Sequence, residues 1–200
     1  MLVFFKERLV LLSVPKTGST AYHSALAPLA DMAISGPPEL KHAPLYRYNR
    51  FFRPMFEKIC DAEMEIAAVM REPVSWLGSW YRYRSRPALR GHRNSTAGIS
   101  FDEFVDAYCQ DDRPPFAQVG DQAKFLEPRA NGCKVDHLFA YEKPDILREF
   151  LRERLEAFPE IERRNVSPVA PLELSSKTRV RLERRHGDMF ELYASIVQCS

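Results

Sequence analysis

The sequence predicts an α/β fold in which helices cover both faces of a central, mostly parallel β-sheet. Three short apolar segments predict buried strands, and each is followed by apolar residues at helical spacing. This alternation of strands and helices is typical of a three-layer α/β/α domain. The chain has 200 residues, of which 45% are hydrophobic, so we expect a single domain over residues 1–200.

Two of the strand–helix pairs lie in the first half of the chain. Leu9 to Val14 (LVLLSV) predicts a strand that Pro15 ends, and apolar residues recur at helical spacing after the loop that follows. Glu65 to Met70 (EIAAVM) predicts a second buried strand. Pro73 to Tyr83 then predicts a helix that opens with proline in its first turn.

The second half of the chain predicts one more strand and three helices. Ser100 and Glu103 form a capping box, which predicts a helix from Phe101 to Tyr108. Val135 to Tyr141 (VDHLFAY) predicts the third strand, and the amphipathic segment PDILREFLRERL follows it. A last helix is predicted from Ser176 to Val197.

Two segments, residues 36–54 and 82–98, do not fit this alternation. Both are rich in Arg, Tyr and Pro, and both are long for connections inside a compact domain. Long connections of this kind often form lids or substrate walls. We therefore expect these irregular segments on the substrate side of the domain.

Composition narrows the range of partners. The net charge of +2 produces no overall field that would favour nucleic acid, so any anion site must be local. No stretch approaches the roughly 20 apolar residues of a membrane span, and Lys6, Glu7 and Arg8 interrupt the apolar N-terminus too early for a signal peptide.

The four cysteines form no CxxC pair, which predicts no metal site. We expect a cytoplasmic protein with reduced thiols.

The loop SVPKTGST, after the first predicted strand, is the first candidate site. It lies at the carboxyl end of that strand, where open α/β sheets bind ligands, and before a helix whose first amides favour anions. Lys16 adds a charge, Gly18 permits close approach, and Thr17, Ser19 and Thr20 add hydroxyl groups. The alternative is that Ser19 only caps the helix and Lys16 is solvated. No lysine follows Gly18, so the loop is not the GxxxxGK[ST] loop of standard ATP or GTP enzymes.

The second candidate loop is MREPVSWLGSWYRYR, after the second predicted strand. Arg71 stands at the end of that strand, and Ser79 follows eight residues later on the predicted helix. Arg71 is therefore expected at the same edge of the sheet as Lys16. The alternative is that Arg71 pairs with a local carboxylate such as Glu72.

The two loops together resemble the cofactor-binding motifs of sulfotransferases that use 3′-phosphoadenosine 5′-phosphosulfate (PAPS). PKTGST matches the first motif, and R-x-P-x-x-x-x-x-S-x-Y matches the second. The stretches KHAPLY, GDQAKFL and VDHLFAYEKP are similar to carbohydrate-type and bacterial members. The resemblance covers most of the chain. It implies a P-loop nucleotide-hydrolase-like topology and a PAPS site that needs no metal.

The resemblance also implies residue roles. It implies that the first loop holds the 5′-phosphosulfate of PAPS, whose product is 3′,5′-adenosine bisphosphate (PAP), and that the second holds the 3′-phosphate. The matched residues are Lys16, Thr17, Gly18, Ser19 and Thr20 in the first motif, and Arg71 and Ser79 in the second.

Catalysis and acceptor binding need further groups. Sulfuryl transfer builds negative charge on the bridging oxygen, and Lys16 is the candidate to stabilise it. His42 is the candidate base for an acceptor hydroxyl because its ordinary pKa lies near working pH, with Glu39 as the alternative. The segment that contains Arg82, Arg84 and Arg86 is either a solvated loop or a site for an anionic acceptor such as a uronic acid.

The resemblance thus implies an enzyme that moves a sulfuryl group from PAPS to a hydroxyl or amine, on a carbohydrate or a small metabolite. One alternative is an atypical nucleotide kinase-like enzyme. Another is a non-catalytic module that binds nucleotides or polyanions.

Overall fold

A five-stranded sheet forms the centre of this computed structural model, which describes residues 1–161 and 172–198. The sheet order is β3-β1-β2-β4-β5. β2 pairs in parallel with β4 and β4 with β5, whereas β1 runs antiparallel to β2 and β3, so four strands share one direction. The predicted α/β fold with a mostly parallel sheet is confirmed. The strands are β1 Leu2–Phe4, β2 Leu9–Leu11, β3 Met32–Ala33, β4 Glu65–Met70 and β5 His137–Ala140.

All three predicted strands are present. β4 has the predicted bounds, and β2 and β5 are shorter than predicted. β1 and β3 were not predicted. The apolar segment before Lys6 forms β1, and Lys6 to Arg8 turn the chain back into β2. Lys6, Glu7 and Arg8 therefore lie in the turn between two buried strands.

Helices follow the strands on both faces of the sheet. Because side chains alternate along a strand, Val10 and Met70 join one apolar cluster, and Leu11 and Val69 join the other. α5 and α6 pack in the first cluster, and α1 and α8 in the second. The α-helices are α1 Ser19–Leu26, α2 Pro38–Lys41, α3 Leu45–Arg47, α4 Arg53–Ile59, α5 Pro73–Arg84, α6 Phe101–Tyr108, α7 Gln122–Leu126, α8 Pro144–Arg154, α9 Ser176–Arg185 and α10 Gly187–Gln198.

The prediction of one continuous last helix is wrong. α9 ends before His186, whose backbone leaves the helical region at φ −128° and ψ 38°, and α10 begins at Gly187. The His186 ring stacks on Tyr108 at 4.5 Å, and its Nδ1 lies 3.0 Å from the Asp121 carboxylate. These buried contacts with other elements hold His186 at the break.

The two segments expected to be irregular are partly helical. Residues 36–54 include α2, α3 and a π-helical turn at Tyr48–Phe52. Residues 82–98 begin inside the last turn of α5 and include a short 3₁₀-helix at Pro87–Leu89. Arg82 and Arg84 are therefore helix residues, placed by α5 rather than by a free loop.

The structure bears on two expectations from composition, that the chain does not span a membrane and that its thiols are reduced. No helix among the described residues is long and apolar enough to cross a membrane. Cys60, Cys109 and Cys133 are free thiols, and Cys199 lies outside the described residues.

Candidate functional site

The segments that follow β2, β4 and β5 meet at the carboxyl edge of the sheet. Arg71, directly after β4, directs Nη1 toward the backbone oxygen of Lys16 at 3.4 Å. Its guanidinium also lies 4.3 Å from the ring of Tyr141, directly after β5. The structure thus brings Lys16 and Arg71, from the two sequence motifs, into one site.

The first loop uses two residues in the left-handed backbone region. Gly18 has φ +75°, and a Cβ atom there would lie 3.2 Å from the Tyr141 ring, so glycine suits both the conformation and the close approach. Lys16 has φ +67°, which costs a non-glycine residue roughly 1–2 kcal/mol. Gly18 is also the N-cap of α1 and gives it no side-chain cap, so the first amides of α1 remain available to a ligand.

Two hydrogen bonds hold this loop in place. The buried Thr17 hydroxyl donates to the Val14 oxygen at 2.9 Å, and Trp76 Nε1 donates to the Pro15 oxygen at 2.9 Å. Thr17 therefore shapes the loop with its side chain. Ser19 and Thr20, at the start of α1, are half-buried beside it.

The Lys16 ammonium rests on two aromatic rings of α5. Nζ lies 3.3 Å from the centre of the Tyr83 ring and 4.9 Å from that of Trp80. Burial, followed by the charges of Arg86, Arg84 and Arg71, lowers the pKa of Lys16 to about 7. An amine in this position changes charge near neutral pH, and a bound anion would favour its charged form.

Arg71, Arg84 and Arg86 lie near the Lys16 amine, and Arg82 lies near Arg71. Together with Lys16 they form a group of five cations. Within residues 1–161 and 172–198, none of the five forms an ion pair with a carboxylate. Burial lowers the pKa of Arg71, as expected for a cation that is partly removed from water. Such a group favours an anionic ligand. We call these five residues the rim cations: Lys16, Arg71, Arg82, Arg84 and Arg86.

Arg71 is held by neighbours that the sequence motif did not identify. Its Nε donates to the Ser75 hydroxyl at 2.9 Å. The predicted partner Ser79 is buried on α5, and no described hydrogen bond links it to Arg71. The Glu72 carboxylate caps α5 by accepting from the Ser75 amide at 2.6 Å, so the alternative of an Arg71–Glu72 ion pair is not observed.

The three arginines proposed for the acceptor have different surroundings. Arg84 is only 8% exposed, and its two Nη atoms donate to the Pro115 and Gln118 oxygens at 2.8 Å each. Arg86 stacks on Tyr83 at 4.7 Å, the ring that also contacts Lys16. Arg82 lies in the last turn of α5. Arg84 therefore anchors a loop, whereas Arg86 lies beside the Lys16 amine.

His42 is tied to the first loop. Its Nδ1 lies 2.6 Å from the Ser13 oxygen, and because a carbonyl only accepts, Nδ1 carries the proton. Nε2 then keeps a free lone pair. Burial lowers the pKa of His42, which favours this neutral form. Glu39, the alternative base, is an exposed residue of α2.

Among the described residues, Asp121, His186 and Asp188 lie close enough to share a metal ion. His186 Nδ1 is already paired with Asp121, and its Nε2 faces the Arg113 guanidinium at 3.3 Å. A cation in this position disfavours a second one, so we assign no metal to the group. The expected absence of a metal remains a prediction.

Comparison with known proteins gives no match: no family model, no curated protein and no solved structure matches the chain. The geometry of the site is therefore the basis for assigning a function.

We predict that Lys16 titrates near neutral pH. In a pH titration of carbon-13-labelled lysine side chains followed by NMR, one resonance should have a midpoint of about 7, far below the ordinary lysine value of about 10.4. That resonance should be missing from Lys16→Arg. A wild-type spectrum with no lysine midpoint below about 9 would contradict the arrangement of Lys16 among the rim cations.

We predict that Arg84 and Arg86, two residues apart, contribute very differently to stability. Arg84→Met leaves two carbonyls without their donor, so the free energy of unfolding should fall by about 2–3 kcal/mol in urea denaturation. Arg86→Met should change it by less than about 0.5 kcal/mol, while raising the pKa of Lys16 because one like charge is removed. Equal destabilisation by the two variants would contradict the distinction.

Proposed function

We propose that the chain is a PAPS-dependent sulfotransferase that acts on a hydroxyl or amine of a carbohydrate or small metabolite. The observation that carries the proposal is the meeting of Lys16 and Arg71, from two separate motifs, in a site whose cations form no ion pair with a carboxylate of residues 1–161 and 172–198. A P-loop-like topology and membership of the sulfotransferase family are parts of this proposal. So is a cytoplasmic location.

The described residues fit a ligand with two separate anionic groups. The first loop, with Lys16 and the free amides at the start of α1, suits the 5′-phosphosulfate. Within the part of the chain that the structure describes, two side-chain nitrogens of Arg71 donate, Nε to Ser75 and Nη1 to Lys16, so other donors remain for the 3′-phosphate. In addition, the buried Nε1 of Trp80 has no acceptor among the described residues.

Lys16 has the leading catalytic role in this proposal. PAPS supplies a sulfuryl group bonded to a phosphate oxygen. The Lys16 ammonium donates to that bridging oxygen as negative charge grows on it, and a preorganised donor of this kind contributes about 3–4 kcal/mol to lowering the barrier. The anionic ligand raises the pKa of Lys16 above its value of about 7 in the free protein, so the amine is charged when it is needed.

His42 acts as the base toward the acceptor. The hydrogen bond from Nδ1 to the Ser13 oxygen orients the ring and leaves Nε2 to accept the hydroxyl proton. Its lowered pKa keeps it in the neutral, accepting form at pH 7. Arg82 and Arg86 are the arginines assigned to an anionic acceptor, because the Arg84 guanidinium is occupied by backbone oxygens.

Thermal unfolding in the presence of ligands tests this function. In EDTA, PAP at about one hundred times its Kd should stabilise the protein by about 2.7 kcal/mol, and adenosine 5′-monophosphate (AMP) at the same concentration should stabilise it less because it lacks the 3′-phosphate. Arg71→Met should remove most of this preference for PAP. Stabilisation by ATP with Mg²⁺ but not by PAP would favour the kinase-like alternative, and stabilisation by heparin alone would favour a polyanion-binding module.

A further inference from the structure

Arg71 is the first residue after β4, so its backbone lies just beyond the regular hydrogen bonding of the sheet. The Tyr141 amide donates to the Met70 oxygen at 2.8 Å, and this bond joins the ends of β4 and β5. The next peptide groups along the chain carry the N–H and C=O of Arg71. A buried backbone group without a partner costs about as much as a lost hydrogen bond, so these groups need partners outside the sheet.

The side chain of Gln122 provides both partners. Its Oε1 accepts from the Arg71 amide at 3.0 Å, and its Nε2 donates to the Arg71 oxygen at 2.9 Å. Gln122 is only 1% exposed, an unusual position for a glutamine. With one donor and one acceptor, its amide takes the place that the backbone of a neighbouring strand would occupy.

Gln122 is itself fixed by the start of α7. The Asp121 carboxylate caps this helix by accepting from the Lys124 amide at 3.1 Å. The same carboxylate pairs with His186 at 3.0 Å, in a contact where both side chains are less than 10% exposed. Contacts that do not involve Arg71 therefore help to fix the position of the Gln122 amide.

We propose that Gln122 is a positioning residue, which holds the Arg71 backbone so that the guanidinium faces the 3′-phosphate of the bound nucleotide. With its backbone held at the end of β4, the guanidinium contacts Ser75, the Lys16 oxygen and the Tyr141 ring. Displacement of a binding group by about 1 Å can cost two orders of magnitude in the function it supports. Gln122 does not contact the ligand in this proposal, which rests on the proposed PAPS site.

The test compares the affinities of PAP and AMP for the full chain by calorimetry in EDTA. Gln122→Met keeps the size of the side chain and removes both hydrogen bonds. Its ratio of PAP to AMP affinity should fall at least about tenfold, while AMP affinity stays close to that of the wild type. Gln110→Met, the same change at an exposed glutamine of the surface, is the matched control and should leave both affinities unchanged.

Gln122→Glu adds a readout that a general loss of stability would not produce. A protonated carboxyl group can accept from the Arg71 amide and donate to the Arg71 oxygen, as glutamine does, whereas the ionised form can only accept. The preference of this variant for PAP, divided by that of the wild type at the same pH, should therefore rise as the pH is lowered from about 8 to about 6. This second variant also keeps the test decisive if Gln122→Met does not fold.

The outcomes separate the two proposals. A wild-type protein that binds PAP no better than AMP would contradict the proposed function. A wild type that prefers PAP, together with Gln122 variants that keep the full preference at every pH, would overturn the positioning role of Gln122 and leave the proposed function standing.

Discussion

The site depends on the parallel pairing of β2, β4 and β5. Because the three strands run in one direction, the segments that follow them leave the sheet at the same edge. Residues far apart in the sequence, such as Gly18, Arg71 and Tyr141, therefore come into contact. The buried hairpin of β1 and β2 and the helices on both faces hold this edge in place.

The charges at this edge come at a cost to stability. Lys16 is partly buried in a left-handed backbone conformation, with like charges nearby and no carboxylate partner among the described residues. Contact with the rings of Tyr83 and Trp80 offsets part of that cost, since aromatic faces attract cations. A strained, like-charged cluster of this kind is typical of functional sites, where a ligand provides the missing counterion.

Local patterns predicted much of the fold, and contacts across the chain account for what they missed. The bounds of β4 and α6 follow from an apolar run and a capping box, which are signals within a few residues. The single last helix failed because His186 is drawn toward Tyr108 and Asp121, which helical periodicity does not reveal. In the site, the motifs identified Lys16 and Arg71. The contacts that Tyr83, Tyr141 and Gln122 make with these two residues could not be predicted, because they join segments that are distant in the sequence.

Calorimetric titration with PAP in EDTA, near pH 8 and in two buffers of different ionisation enthalpy, tests the central claim most directly. Free Lys16, with a pKa of about 7, is largely neutral under these conditions, and the bound phosphates restore its charge. We expect micromolar or tighter binding without metal, uptake of about one proton per PAP, and affinity that falls as the pH rises above 7. A folded protein that does not bind PAP would contradict the proposed PAPS site, and one that binds PAP without taking up a proton would contradict the role of Lys16.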